Sequence, residues 1–132
     1  MLRGLTAIGL AMLAPAAIAQ LTPPDTTIRT EQVAPGIYML VGQGGNIGVS
    51  TGADGTFLID DQYAPMTPSV IAALKDLNAP APRFVLNTHW HSDHTGGNEN
   101  LGKAGAVVVA HEQVRARMSV DQFNKFLENA TP

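Results

Sequence analysis

The sequence predicts an α/β fold in a single domain, and three observations support this prediction. Short apolar runs separated by turn residues fill the first half of the chain, as in an antiparallel β-meander. The apolar spacing then changes to a helical period, and further apolar runs alternate with helical segments. The chain has 132 residues, of which 45% are hydrophobic and 14% are charged. This composition suits one globular domain.

The first 19 residues are predicted to be a signal peptide. A basic residue precedes an apolar run, and the small-residue triplet of residues 17–19 provides a cleavage site before Gln20. The apolar run is shorter than the ~20 residues that span a bilayer, so we expect no stable membrane insertion after cleavage. We expect the protein to be periplasmic or secreted. Residues 20–27 are predicted to form an exposed leader, and residues 28–132 are predicted to form the domain.

The meander comes first in the predicted domain. Its four predicted strands span residues 28–33, 37–41, 46–51 and 56–60. Asp54-Gly55 gives the strongest hairpin signal, because both residues tolerate the positive φ of a tight turn. Gly44-Gly45 is interpreted as a plain turn, and a mobile glycine-rich hairpin over a functional site is the alternative.

Helices and strands alternate after the meander. A helix is predicted over residues 68–78, with Thr67 as its N-cap, because the apolar positions fall on one face. The elements predicted next are a strand at 83–88, a short helix at 98–103, a strand at 106–110 and a helix from Glu112. The last segment has a capping-box pattern at Ser119–Gln122, ahead of Phe123, Phe126 and Leu127 at helical spacing, which favours helix towards the chain end.

Three of the four histidines lie in the segment His89-Trp90-His91-Ser92-Asp93-His94, directly after the strand predicted at 83–88. On an extended segment, His89, His91 and Asp93 project to one side, and a turn brings His94 in from another direction. Imidazole and carboxylate groups are zinc ligands, and this set also tolerates iron or manganese. We expect the following Gly96-Gly97 to let the backbone turn sharply beneath the metal. A polar surface loop without a metal is the alternative interpretation.

The segment THWHSDHTGGN resembles the metal-binding signature of the metallo-β-lactamase superfamily, and the earlier FLIDD resembles a second motif of that family. The resemblance implies an αββα sandwich, of which this chain covers the N-terminal half. It implies that His89 and His91 bind a first metal ion, and that Asp93 and His94 bind a second. It also implies that Asp60, at the end of a strand beside the site, holds the loop that carries these four ligands (the metal loop) in place through hydrogen bonds.

The resemblance further implies a zinc-dependent hydrolase that cleaves an ester, thioester, lactone or β-lactam with a metal-activated water. Two zinc ions and a catalytic Asp93, which orients the water, are expected in the intact enzyme. The alternatives are a mononuclear iron dioxygenase of the same fold and a non-catalytic periplasmic metal-binding or inactive product. The expected partner is a small-molecule substrate. Nucleic acid is not expected, because the mature chain has 7 basic and 11 acidic residues, a net charge of 7 - 11 = -4.

Members of the family have a second half that supplies further ligands to both metals. In this sequence only His111 follows the motif, and we interpret it as a structural histidine. Each metal would then have two ligands from this chain, whereas a catalytic zinc normally has three. We therefore expect a C-terminally truncated chain of a longer hydrolase. The alternative is a short protein whose missing ligands come from a second chain.

Overall fold

A computed structural model describes residues 25–120 of the chain, together with the backbone of residues 122–124 and 129–131. The predicted signal peptide and the first part of the leader lie outside the described residues. The main feature is a six-stranded sheet in which the strands follow one another in chain order. The strands are β1 (Arg29–Ala34), β2 (Ile37–Val41), β3 (Ile47–Gly52), β4 (Gly55–Ile59), β5 (Pro82–Asn87) and β6 (Val107–Ala110).

The first four strands form the predicted antiparallel meander. The hairpin between β3 and β4 differs from its prediction by one residue. Gly52 pairs with Gly55, so the turn consists of Ala53 and Asp54, and the positive φ of 107° falls on Gly55 immediately after it. A glycine in this position is typical of a turn followed by a β-bulge.

The last two strands run parallel to β4, and helices make the connections. Helix α1 (Thr67–Asp76) joins β4 to β5, and two short helices, α2 (Ser92–Thr95) and α3 (Asn98–Lys103), lie between β5 and β6. Helix α4 (Glu112–Met118) follows β6. Because parallel strands end at the same edge of a sheet, the segments that follow β4 and β5 meet there.

One face of the sheet is covered and carries the apolar core. Strand residues of alternate parity point to this face, and α1 and α3 pack on it. The fully buried core side chains are Leu40, Ile47, Val49, Leu58 and Val85 from the sheet and Met66, Val70, Leu74 and Leu101 from the helical layer. Each such side chain stabilises the fold by about 1.5–3 kcal/mol relative to exposure. This burial fixes α1 against the sheet with the predicted apolar face inward.

The opposite face of the same strands is apolar and open among the described residues. Ile59, Leu86, Val107 and Val109 project from it, and each is at least 40% exposed. A stacked pair, Phe57 and Phe84, lies beside them with ring centroids 5.4 Å apart. Such strands have apolar side chains on both faces, a pattern typical of a sheet that is buried on both sides.

The cap of α1 was predicted wrongly. A 3-10 turn at Ala64–Met66 continues into the helix, so Thr67 is already helical and makes no capping hydrogen bond. The Thr67 hydroxyl instead lies 3.2 Å from Asn100 Nδ2, which donates to it from α3.

The helix predicted towards the chain end is wrong as well. Ser119 follows the last turn of α4, and its hydroxyl donates to the Arg115 carbonyl at 2.7 Å, so it ends a helix instead of starting one. Two antiparallel strands, β7 (Gln122–Asn124) and β8 (Asn129–Thr131), come next, and Phe126 and Leu127 lie outside the described residues. None of the described helices has the length and apolar character needed to cross a bilayer.

Candidate metal centre

The carboxyl ends of β4 and β5 place Asp60 beside the histidine-rich loop. Asp60 is buried, and it accepts hydrogen bonds from the Thr88 backbone N–H and the Thr88 hydroxyl, both at 2.7 Å. Its backbone is left-handed, with a φ of 64°, which is uncommon for a residue with a side chain. Asp60 therefore ties the end of β4 to the start of the loop.

His94 lies between two carboxylates. Its Nδ1 is 2.7 Å from Asp60 Oδ2, and its Nε2 is 3.3 Å from Asp93 Oδ2. A carboxylate only accepts hydrogen bonds, so the contact with hydrogen-bond geometry, which is also the shorter of the two, makes Nδ1 the donor towards Asp60. In the neutral imidazole this leaves the lone pair on Nε2, where a metal ion can bind.

His89 completes a group of three potential ligands. One donor atom from each of Asp60, His89 and His94 lies within 4.8 Å of the other two. The rings of His89 and His94 have centroids 4.0 Å apart, and His89 Nδ1 lies 3.0 Å from the Thr88 hydroxyl. The group therefore contains two of the predicted ligands, His89 and His94, and Asp60, which was predicted to hold the metal loop in place.

The other two predicted ligands lie next to this group. Asp93 contacts it through the Nε2 atom of His94. His91 is exposed, and its ring packs edge-on against that of His89 with a centroid distance of 4.8 Å. The loop that carries them is held from below, because Asn87 Nδ2 donates to the His94 carbonyl at 3.0 Å.

These side chains fit a divalent metal ion. Two ligands of one tetrahedral zinc ion, each about 2.1 Å from the metal, lie about 3.4 Å apart. The 3.3 Å separation of His94 Nε2 and Asp93 Oδ2 matches that spacing. The Asp60 carboxylate already accepts three hydrogen bonds, two from Thr88 and one from His94, so its geometry suits orienting the ligands.

Comparison with known proteins identifies the family. The family model for the metallo-β-lactamase superfamily matches residues 37–131, well over half of the chain. The chain belongs to the metallo-β-lactamase superfamily. Its sequence relatives include a hydroxyacylglutathione hydrolase of Anaeromyxobacter dehalogenans, which is 40% identical over 60 residues. A second hydroxyacylglutathione hydrolase, from Erythrobacter litoralis, is 44% identical over 39 residues.

Solved structures agree on the fold. The metallo-β-lactamase FIM-1 from Pseudomonas aeruginosa, in its mono-zinc form, superposes with a TM-score of 0.66 at 22% identity over 74% of this chain. A metallo-β-lactamase mutant from Cronobacter sakazakii gives a TM-score of 0.63 at 26% identity over 70% of the chain. The matched part spans 47% and 38% of those two structures. It spans 24% and 16% of the two curated relatives. The predicted family and the predicted half-sandwich fold are confirmed.

Asp61 lies behind the metal loop of this superfamily member and is fully buried. Its Oδ1 accepts the Gly97 N–H at 3.0 Å, and Oδ2 has no hydrogen-bond partner among the described residues. Burial raises the pKa of Asp61 to about 7, and the charge of Asp60 adds to this rise against the opposing effect of the Gly97 N–H. Asp61 is thus a hydrogen-bond acceptor beneath the loop.

Gly96 and Gly97 are needed for space, which differs from the predicted reason. Their φ values of −66° and −80° are ordinary helical values, so no special turn requires glycine. A Cβ on Gly96 would lie 2.7 Å from the Ser92 carbonyl oxygen, and one on Gly97 would lie 2.8 Å from the Asp61 carbonyl oxygen. The two glycines let the loop rest directly on the segment that follows β4.

Gln62 and the Gly44-Gly45 turn lie beside the group of potential ligands. The sequence analysis gave no role to Gln62, and a hairpin over the site was only the alternative interpretation of Gly44-Gly45. Gln62 is fully buried with a φ of 65°; its Oε1 accepts the Gly44 N–H at 2.9 Å and its Nε2 donates to the Gly45 carbonyl. A Cβ on Gly45 would lie 2.4 Å from Cε1 of His94. The turn therefore packs against a predicted ligand. The glycine doublet was its only sequence signal.

His111 is not a member of the group of potential ligands. It is the N-cap of α4, and its Nδ1 accepts the Gln113 N–H at 3.2 Å. The histidine predicted to be structural thus has a capping contact that accounts for it.

Proposed function

We propose that this chain provides the metal-binding half of a zinc-dependent hydrolase. In this proposal His89 and His91 bind one zinc ion, Asp93 and His94 bind a second, and Asp60 orients the ligands. The proposal rests on the arrangement around His94, whose two ring nitrogens face Asp60 and Asp93 at 2.7 and 3.3 Å. Only one of these nitrogens can be the donor in neutral imidazole, and the Asp60 contact selects Nδ1.

The residues of the chain have separate roles in the proposed reaction. A bound zinc ion would supply Lewis acidity towards a carbonyl oxygen and lower the pKa of a water molecule towards neutrality. Asp93 would accept a hydrogen bond from the attacking water and orient it towards the carbonyl carbon. Asp60 would keep the His94 proton on Nδ1 throughout. The apolar side chains of the open sheet face, which end at Ile59 and Leu86 beside the loop, would help to exclude water.

We propose an acyl compound as the substrate, in the class of esters, thioesters, lactones and β-lactams. The names of the relatives support this class, since hydroxyacylglutathione hydrolases and β-lactamases both act on acyl groups. We also propose that the protein is exported, with Gln20 as its mature N-terminus. N-terminal sequencing of protein from the periplasmic fraction tests that point, and an N-terminus at Met1 on cytoplasmic protein would contradict it.

The metal site is tested by zinc binding before any activity is measured. Metal content after purification separates zinc from iron and manganese, and competition with a chromophoric chelator gives the zinc affinity. We expect His94→Ala and Asp93→Ala to lower zinc affinity at least about tenfold. His111→Ala serves as the matched control, because this histidine caps α4 and is not one of the potential ligands. Equal zinc affinity in all three variants would contradict the proposed site.

Hydrolysis is tested with a panel that contains a thioester, a lactone and a chromogenic β-lactam in the presence of zinc. Because the 132-residue chain offers two of the proposed ligands per metal, we expect weak zinc binding and no appreciable turnover by this chain alone. Turnover at rates typical of enzymes would mean that further ligands reach the site from another source, such as a second chain. Sedimentation of the active species would then show whether a second copy is present.

A further inference from the structure

His91 is held differently from the other histidines of the loop. His94 is fixed by hydrogen bonds to Asp60, and His89 contacts the Thr88 hydroxyl through Nδ1. In the part of the chain that the structure describes, the His91 ring makes ring contacts alone, with His89 on one side and Trp90 on the other. The orientation of His91 therefore depends on its packing.

Trp90 provides one side of that packing. Its ring lies 4.5 Å from the His91 ring, centroid to centroid, at an interplanar angle of 57°. The indole is half-buried, and on it rests the guanidinium of Arg117, 5.9 Å from the ring centroid. This distance lies within the range of a cation–π contact, and tryptophan is the strongest aromatic partner for one.

We propose that Arg117 is a positioning residue for His91 and acts through Trp90. The guanidinium restricts the indole to one orientation, and the indole then limits the rotamers of the imidazole beside it. Helix α4, which carries Arg117, thereby helps to fix the orientation of His91, in a loop that precedes the helix in the chain. The inference rests on the proposed metal site for its effect on zinc, while its effect on packing is measured without metal.

The packing is measured first in the metal-free protein. Trp90 is the only tryptophan in the chain, so its fluorescence reports this contact directly. We expect Arg117→Ala to shift the Trp90 emission, to raise its quenching by acrylamide and to reduce the ring-current shift of the His91 protons in NMR spectra. Arg117→Lys should restore part of each signal, because a lysine keeps the cation. Arg115→Ala on the same helix is the matched control and should change none of them.

The effect on the metal site is measured by a double-mutant cycle with zinc alone as the probe. We expect Arg117→Ala to lower zinc affinity about two- to fivefold, the size of a partly exposed cation–π contact. In a Trp90→Leu background the same change should have little further effect, and this comparison isolates the Arg117–Trp90 contact from other contacts of Arg117. Absorption spectra of the Co²⁺ form should change in the same variants.

The outcomes keep the two proposals apart. Absence of zinc binding in the unmutated chain would contradict the proposed function, while the fluorescence and NMR signals would still decide the packing. Unchanged Trp90 emission and unchanged His91 shifts in Arg117→Ala would overturn the inference. So would an equal loss of zinc affinity with and without Trp90.

Discussion

Replacing Asp60 by asparagine moves the proton on His94 without changing the size of the side chain at this position. In Asp60→Asn the amide oxygen can still accept the Thr88 N–H, but the amide NH₂ group then faces His94 Nδ1, where Asp60 Oδ2 now lies at 2.7 Å. Nδ1 must become the acceptor, so the proton moves to Nε2. The nitrogen that faces Asp93 then has no lone pair for a metal ion.

The size of the effect follows from the contacts that are lost. Groups that orient a metal-bound histidine typically contribute about 10- to 100-fold to metal affinity, and we expect a loss in this range for zinc. The metal-free protein should also lose about 2 kcal/mol of unfolding free energy, since hydrogen bonds to a charged carboxylate become neutral ones. Chelator competition and denaturant unfolding measure the two quantities.

Asp61→Asn is the matched control for this experiment. It makes the same chemical change one residue along the chain, at a buried side chain. Asp61 Oδ1 accepts a hydrogen bond from the Gly97 backbone N–H, whereas Asp60 accepts one from the ring of a histidine. We expect its zinc affinity to stay close to that of the unmutated chain. If Asp60→Asn bound zinc as tightly as Asp61→Asn, the argument from the His94 proton would be refuted.

Three further predictions concern the surroundings of the site. Gly45→Ala should lower zinc affinity at least about tenfold, because the new Cβ would lie 2.4 Å from His94, whereas Gly52→Ala meets open space and should have no effect in the same titration. The folded-state pKa of Asp61 is about 7, above its ordinary value of 3.8, so its protonated form stabilises the fold fully below about pH 4 and this contribution is lost as the pH rises to about 7. In the metal-free protein, the unfolding free energy of Asp61→Asn should rise relative to that of the unmutated chain over that pH interval, by up to about 4 kcal/mol. Parallel pH profiles of the two unfolding free energies would contradict the raised pKa. Val107→Lys should reduce binding of a hydrophobic dye, since Val107 is 54% exposed on the open sheet face; unchanged fluorescence would mean that the dye binds elsewhere.

Local pattern was enough to predict most elements, because each depends on neighbours in the chain. The short helix Asn98–Lys103 and strand β2 occur at the predicted residues, and α1 has the predicted apolar face. The prediction of a helix after Ser119 was wrong because a capping-box pattern carries no information about the helix that precedes it. The Ser119 hydroxyl donates to the Arg115 carbonyl at the end of α4, so it does not cap a new helix.

The histidine motif was visible because its members lie within six residues of one another. The supports of the site were not visible, since they depend on contacts between distant segments. Gln62 reaches back to Gly44 across 18 residues, and Gly97 rests on Asp61 across 36. Gly96 and Gly97 were identified as important for the wrong reason, because close approach of another segment leaves no mark on the local sequence.

The hydrogen bonds beneath the metal loop have a consequence for how the protein acquires its metal. Asp60 holds Thr88, Asn87 holds the His94 carbonyl and Asp61 holds Gly97, and all three contacts are made by the polypeptide itself. In zinc fingers the ion organises the chain, and chelation unfolds it. Here hydrogen bonds of the polypeptide hold the loop that carries the proposed ligands. We therefore expect that a chelator removes the metal of the proposed site without unfolding the chain, and that the metal-free protein binds the metal again without passing through an unfolded state.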